Sequence, residues 1–285
     1  DNIIDDVYLP NLNKEIAMKK SLLALSVLAA ASTSAFAADQ SANDIHKNDY
    51  KWAQLNLMYA SDELPGESSH DYLEMEFGGR SGIFDLYGYV DIFNITSDSN
   101  SDKADANSKI FIKFAPRMSL DAVTGKDLSF GPVQELYIAS EIDWDGATVS
   151  ETNPFAVNQQ KIGLGSDVIV PWLGKMGLNL YANYDSTKKD WNGYQISTNW
   201  FKPFLNFDNG SFISYQGYID YQFGMKDKYS TASSGGVMFN GIYWHSDRFA
   251  AGYGLKAFSD VYGIKDSDGF KSTGFSHYVA VTYKF

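Results

Sequence analysis

The chain has no cysteine among its 285 residues. A protein without cysteine cannot be stapled by disulfides, so if it is exported it needs another source of stability. It also lacks, beyond residue 37, any apolar run long enough for a helical membrane span, which takes roughly 20 residues. Basic residues are outnumbered, with 23 Lys and Arg against 35 Asp and Glu and a net charge of −12. That balance argues against a nucleic-acid partner, which needs a basic face for its phosphates. Histidine is scarce: His46, His70, His245 and His277 are all there are. No Gly-x-Ser-x-Gly motif occurs, and no histidine stands where a hydrolase triad can be assembled, so enzyme chemistry is not indicated.

What is present begins at Met18. Met18-Lys19-Lys20 precedes an apolar run from Ser21 to Ala31, and Ala35-Phe36-Ala37 follows as a small-x-small site. This is the pattern of a secretory signal over 18–37, with cleavage expected after Ala37. Residues 1–17 are acidic and aperiodic and read as a non-native upstream extension. The domain left for folding is 38–285.

Mean hydropathy is negative (−0.28), yet aromatics make up 15% of the chain, including 19 Tyr. Residues alternate with period two almost throughout. Over 82–93, Phe84, Leu86, Val90 and Ile92 oppose Asp85, Tyr87, Tyr89 and Asp91. On a strand those sets occupy opposite faces. About twelve such segments centre on 50–59, 70–79, 82–93, 109–120, 132–142, 158–170, 175–185, 191–201, 211–223, 236–245, 247–258 and 274–285. Each is close to the roughly 9–11 residues with which a tilted strand crosses a bilayer. The predicted fold is all-β: a closed antiparallel transmembrane barrel with both termini periplasmic.

A soluble sandwich also alternates, but its core could not bury the ionisable residues on the polar face unpaired. Tyr59, Trp144, Trp172, Trp191, Trp200, Trp244 and Tyr283 fall near strand ends, where interfacial girdles belong. Polar stretches 97–109, 145–158, 225–235 and 260–273 read as extracellular loops, and Gly78–Ser81, Trp172–Gly174 and Ser246–Asp247 as periplasmic turns. Asp98–Asp102 opens like a calcium loop, but Lys103 and Lys109 stand where glycine and glutamate are required. Gly252 and Gly254 match a loose dinucleotide fingerprint inside a strand with no helix after it, which disqualifies it.

Several stretches together resemble one family: Tyr72-Leu73-Glu74 leading to Phe84–Tyr89, Ala115-Pro116-Arg117, Asp127–Pro132, Gly163–Asp167, Trp191–Tyr194, and Ser272-Thr273-Gly274 before the last strand. The resemblance is to the Tsx-like nucleoside-specific channels of Gram-negative outer membranes, nearer their short-looped OmpK type. It covers the whole of 38–285. It implies twelve strands, outer-membrane localisation among lipid and lipopolysaccharide, a narrow aromatic lumen that passes nucleosides, and a surface used by a bacteriophage.

The alternation then assigns the inward face. Its acids are Glu74, Glu76, Asp85, Asp91, Glu135, Glu141, Asp167, Asp185 and Asp220. Its bases are Lys113, Arg117, Lys161, Arg248, Lys256 and Lys284. Tyr87, Tyr89, Phe111, Tyr137, Tyr181, Tyr218 and Tyr278 stand among them. Candidate solute contacts are Glu74, Glu76, Asp85, Tyr87, Tyr89, Asp91, Lys113, Arg117, Glu135, Tyr137, Tyr181, Tyr218 and Arg248, with Tyr87 and Tyr89 as one stacking station. The competing expectation is that these groups brace a filled lumen in a structural or receptor barrel. No catalytic residue, metal or cofactor is assigned.

Overall fold

The computed structural model describes residues 44–96, 109–146 and 156–285. Strands β1 (Tyr50–Glu63), β2 (Ser68–Ser81), β3 (Phe84–Phe93), β4 (Ile110–Phe114), β5 (Arg117–Ser119), β6 (Val133–Trp144), β7 (Asn158–Val170), β8 (Gly174–Asp185), β9 (Asp190–Asn206), β10 (Phe212–Phe223), β11 (Ser234–His245), β12 (Phe249–Ser259) and β13 (Gly274–Lys284) form one antiparallel sheet. β1 pairs with β13, from Gln54 opposite Lys284 to Ser61 opposite His277, and closes the sheet on itself.

β4 and β5 are two halves of one strand, so the barrel has twelve. Pro116 has no N–H to give to the ladder. Pairing continues on either side of it: Ala115 donates to the Tyr87 carbonyl, and Ser140 donates to the Pro116 carbonyl. Closure leaves no open edge, the condition for a sheet to sit in lipid.

The alternation falls where the sequence puts it. Leu57, Met75, Leu164, Leu180, Ile242, Val279 and Val281 are exposed on the outer wall. Tyr137, Tyr181 and Tyr278 are sealed inside. Turns after β2, β7, β9 and β11 are short and share an end with both termini, together with the 120–132 connection that holds a short helix; the connections after β3, β6, β10 and β12 lie at the other end and are all longer than those four turns. Short turns mark the periplasmic side of such barrels.

The structure departs from the expectations at three boundaries and at one aromatic. β2 runs through Gly78–Ser81, and the turn follows at Gly82 and Ile83. Leu120 does not end a strand. It opens a short helix α1 (Leu120–Thr124), because the Ser119 hydroxyl accepts from the Ala122 N–H at its start and Gly125 adopts φ +64° at its end. β9 runs past Pro203 to Asn206, with the register slipping between Ile213 and Ser214 to accommodate it. Trp200 faces outward but is buried rather than girdling, because it lies flat over Gly217. The other six expected girdle aromatics are at least 41% exposed on the outer wall or in a turn. Loop 97–109 except Lys109, most of 145–158, the calcium-like stretch, the signal and residues 1–17 lie outside the described residues.

Candidate functional site: the barrel lumen

Period-two geometry brings every inward residue of every strand to one axis. Around that axis the lumen has two unlike walls.

The first centres on the acids of β6 and β7, with partners drawn from β2 to β5 and from β8 to β10. Lys161 pairs with Glu141 at 2.6 Å and also with Asp143. Lys113 lies 3.5 Å from Glu141 and 3.9 Å from Asp143. It also reaches across the lumen to Asp220 on β10, at 3.4 Å. Gln195 donates to Glu141 at 3.2 Å, and Ser197 donates to Asp220 at 2.6 Å. β4 and β10 stand nearly opposite each other in the ring, so this network is a bar across the passage. Nearer the periplasmic end, Arg80 makes a two-pronged bond to Glu135 at 2.8 and 2.7 Å. Arg117 pairs with Asp85 and Asp167 and lies 4.0 Å from the Tyr137 ring centre. Lys175 also reaches Asp167, at 2.7 Å.

The second wall spans β1 to β3. Glu76 accepts from Gln54 at 2.5 Å, from the Tyr87 hydroxyl at 2.9 Å and from Asn56 at 3.3 Å. Glu74 accepts from Asn56 at 2.6 Å and faces Asp91 in register. Among the described residues these two glutamates meet amides, a hydroxyl and, for Glu74, the Asp91 carboxyl, with no ion pair to a cation. A row of rings runs beside them: Trp52 to Tyr87, Tyr87 to Tyr89 and Tyr89 to Phe111 have centroids 6.3, 6.2 and 6.1 Å apart. Across the lumen, Phe239 stacks on Tyr218 at 5.8 Å and meets Tyr278 edge-on at 5.9 Å. Ala60, Tyr72, Phe93 and Tyr278, with Met58, Phe111 and Phe239 packed against them, narrow the passage with apolar surface.

Gly252 and Gly254 now have a structural account. On the inward face of β12 they seat the Tyr243 and Phe239 rings, where a Cβ would collide. They are ring seats, not a dinucleotide motif.

Twelve of the thirteen candidate residues lie on the inward face. Glu135, Tyr137 and Tyr181 are among the largest fully buried side chains and offer almost no surface to a solute. Arg248 is a correction. It is exposed in the turn between His245 and Phe249, and its carbonyl accepts from the Lys284 N–H. Its parity is inward, but the chain has already left the strand, so no wall holds its side chain in the lumen.

Sequence reasoning missed Trp52, Glu63, Arg80, Asp143, Lys175 and Gln195. Arg80 and Asp143 were findable, since each continues the parity of its strand. Glu63 was not. A register shift between Ala60 and Glu63 reverses the parity, and only then does Glu63 meet Lys256 at 3.1 Å and His70 at 3.2 Å.

A closed antiparallel barrel with an apolar outer wall and a charged, aromatic lumen is a transmembrane channel-type protein of an outer membrane. The family described as nucleoside-specific channel-forming protein, Tsx, matches residues 47–285, and the chain belongs to it. It is 75% identical to the outer membrane protein OmpK of Vibrio parahaemolyticus serotype O3:K6, over 94% of this chain and all of that protein. It is 31% identical to the nucleoside-specific channel-forming protein Tsx of Salmonella typhimurium, again over 94% and 100%. Against Tsx of Escherichia coli O157:H7 the identity is 27%, with the same coverage. These relatives place the protein in the outer membrane of a Gram-negative bacterium.

Proposed function

We propose that the barrel passes nucleosides and similar small neutral solutes, and that the β1–β3 wall is where they are held. The observation that carries this reading is the juxtaposition of two amide-held carboxylates, Glu74 and Glu76, with the ring row Trp52–Tyr87–Tyr89–Phe111. A flat base can stack on a ring, worth on the order of 1–3 kcal/mol per base. Carboxylate oxygens not used by cations can accept from ribose hydroxyls. Inward acids outnumber inward bases, so the lumen is negative on balance and repels a phosphate while costing a neutral nucleoside nothing. Twelve strands lie between the side-chain-filled eight and the open sixteen, so a solute must touch the walls.

The test is single-channel current in a planar bilayer. Nucleosides added at low salt should interrupt the current, while the corresponding nucleotides should do so more weakly. Current indifferent to nucleosides overturns the reading. Equal permeation at high salt decides nothing, because salt screens the field.

A second reading draws on the Lys113–Asp220 bar: the lumen is braced shut and the outer loops do the work, including adsorption of a bacteriophage. Loop 260–273 suits a docking surface, being internally tied where Asp266 accepts from the Ser272 and Thr273 N–H groups. Absence of any conductance, with phage adsorption lost on replacing that loop, would favour it.

A further inference from the structure

The outer wall carries a feature that the lumen does not explain. At the extracellular ends of β8, β9 and β10 lies a groove of about 310 Å³ lined by Ala182, Trp191, Gly193, Tyr194, Gly224 and Lys226. The backbone makes it. The register slips between Ala182 and Tyr184, and Gly193 and Gly224 take φ +79° and +65°, conformations that favour glycine. Its aromatics form pairs: Tyr184 with Trp191 at 5.4 Å, and Tyr194 with Phe223 at 5.6 Å. Trp191 and Tyr194 are about half exposed.

Directly above sits a cluster of cations. Lys226 and Lys228 donate to the same Asp190 oxygen at 2.9 and 2.8 Å, and the Tyr229 hydroxyl donates to it as well. Lys228 and Lys188 lie 4.5 and 5.4 Å from the Tyr229 ring centre. Asp190 holds the Lys228 ammonium protonated, its pKa raised to about 12. The Lys226 and Lys228 side chains remain 42% and 59% exposed, and each ammonium has three donors, of which Asp190 takes one. Unlike the cations that converge on lumen acids, these lysines stand on the outer rim with their ammonium groups open to solvent.

We propose that this groove and its lysine rim form a binding site for lipid A, the phosphorylated saccharolipid of the outer leaflet, with acyl chains against Trp191 and Tyr194 and a sugar phosphate on Lys226 and Lys228. Charge complementarity and position select this occupant. The site lies at the extracellular rim of the lipid-facing wall, where an outer membrane presents phosphate above acyl chains. It does not rest on the nucleoside reading, and either can fail alone.

The experiment is native mass spectrometry of the whole protein in detergent, titrated with purified lipid A. We expect one tightly held lipid A. Lys226→Gln with Lys228→Gln should weaken it about tenfold, as loss of charge-assisted contacts predicts. Trp191→Ala with Tyr194→Ala, which spares the charges, should also weaken it. Strand content by circular dichroism and nucleoside block of current should be unchanged in both. Equal retention by wild type and both variants overturns the proposal. So does equal retention of phosphatidylglycerol or of dephosphorylated lipid A, or complete displacement by inorganic phosphate.

Discussion

Three to four strands round the lumen, between β2 and β6 or β7, the carboxylates change company. On β6 and β7, Glu135, Glu141, Asp143 and Asp167 are met by Arg80, Arg117, Lys113, Lys161 and Lys175. On β2, Glu74 and Glu76 are met by Gln54, Asn56 and Tyr87. Both walls satisfy buried acids, which burial demands. They do it with different consequences. A cation neutralises the acid and fixes two strands to each other, so the first wall is a brace. An amide satisfies one lone pair without adding a positive charge or an ion pair between strands, so the second wall is not a brace of that kind; under the proposed function its acceptors meet the solute. The contrast teaches that an ionisable lumen is not uniformly braced by ion pairs.

The strongest way to break the contrast is to unpair the brace. Lys161→Met leaves Glu141 and Asp143 with less compensation in a buried setting, where losing one partner costs about 3–5 kcal/mol. The folded band in unheated electrophoresis should give way at lower urea concentration, and Glu76→Gln on the other wall should shift it far less. Equal shifts would mean the two walls do the same work.

The converse change strips the rings from the acidic wall. Tyr87→Ala with Tyr89→Ala should weaken nucleoside block of current by at least about tenfold, since one ring is worth on the order of 1–3 kcal/mol. Open-channel conductance should change much less. If conductance collapses while block persists, these rings are bracing and the contrast is misplaced.

A smaller effect probes the ring seats between the walls. Gly254→Ala should push Phe239 off β12 and into the passage, at an overpacking cost of about 1–3 kcal/mol. Conductance should fall, and Phe239→Leu in the same chain should restore it.

The smallest effect lies outside the membrane and should leave both walls untouched. Asp49 accepts from the Gly82 N–H at 2.7 Å and from His46 at 2.9 Å, which ties the segment before β1 to the β2–β3 turn. The hydrogen bond and charge of Asp49 raise the His46 pKa above 6.5. The contribution of His46 is therefore full below the unfolded imidazole value and fades as pH rises through the folded one. The Asp49 pKa is lowered: desolvation opposes this, but its hydrogen bonds from Gly82 and His46 outweigh it. Its contribution is present above the unfolded carboxylate value and fades as pH falls. Hydrogen exchange at the Gly82 amide, corrected for intrinsic rate, should be slowest between those limits. A flat profile would sink this account.

Residues alone settled the barrel, its facing and twelve of thirteen inward placements, because a period of two is a local property that each strand declares by itself. They also placed Tyr87 and Tyr89 beside Asp85 and Asp91. Tertiary structure decided everything that depends on neighbours distant in sequence. Parity shows that Lys113 points inward, but only ring closure brings it to Asp220 on the far wall. Parity would carry Arg248 into the lumen, but the chain turns before it. Glu63 lies beyond a register shift that no local pattern announces. Which acid receives a cation and which an amide depends on strand stagger, and stagger is a property of the closed sheet rather than of any strand within it.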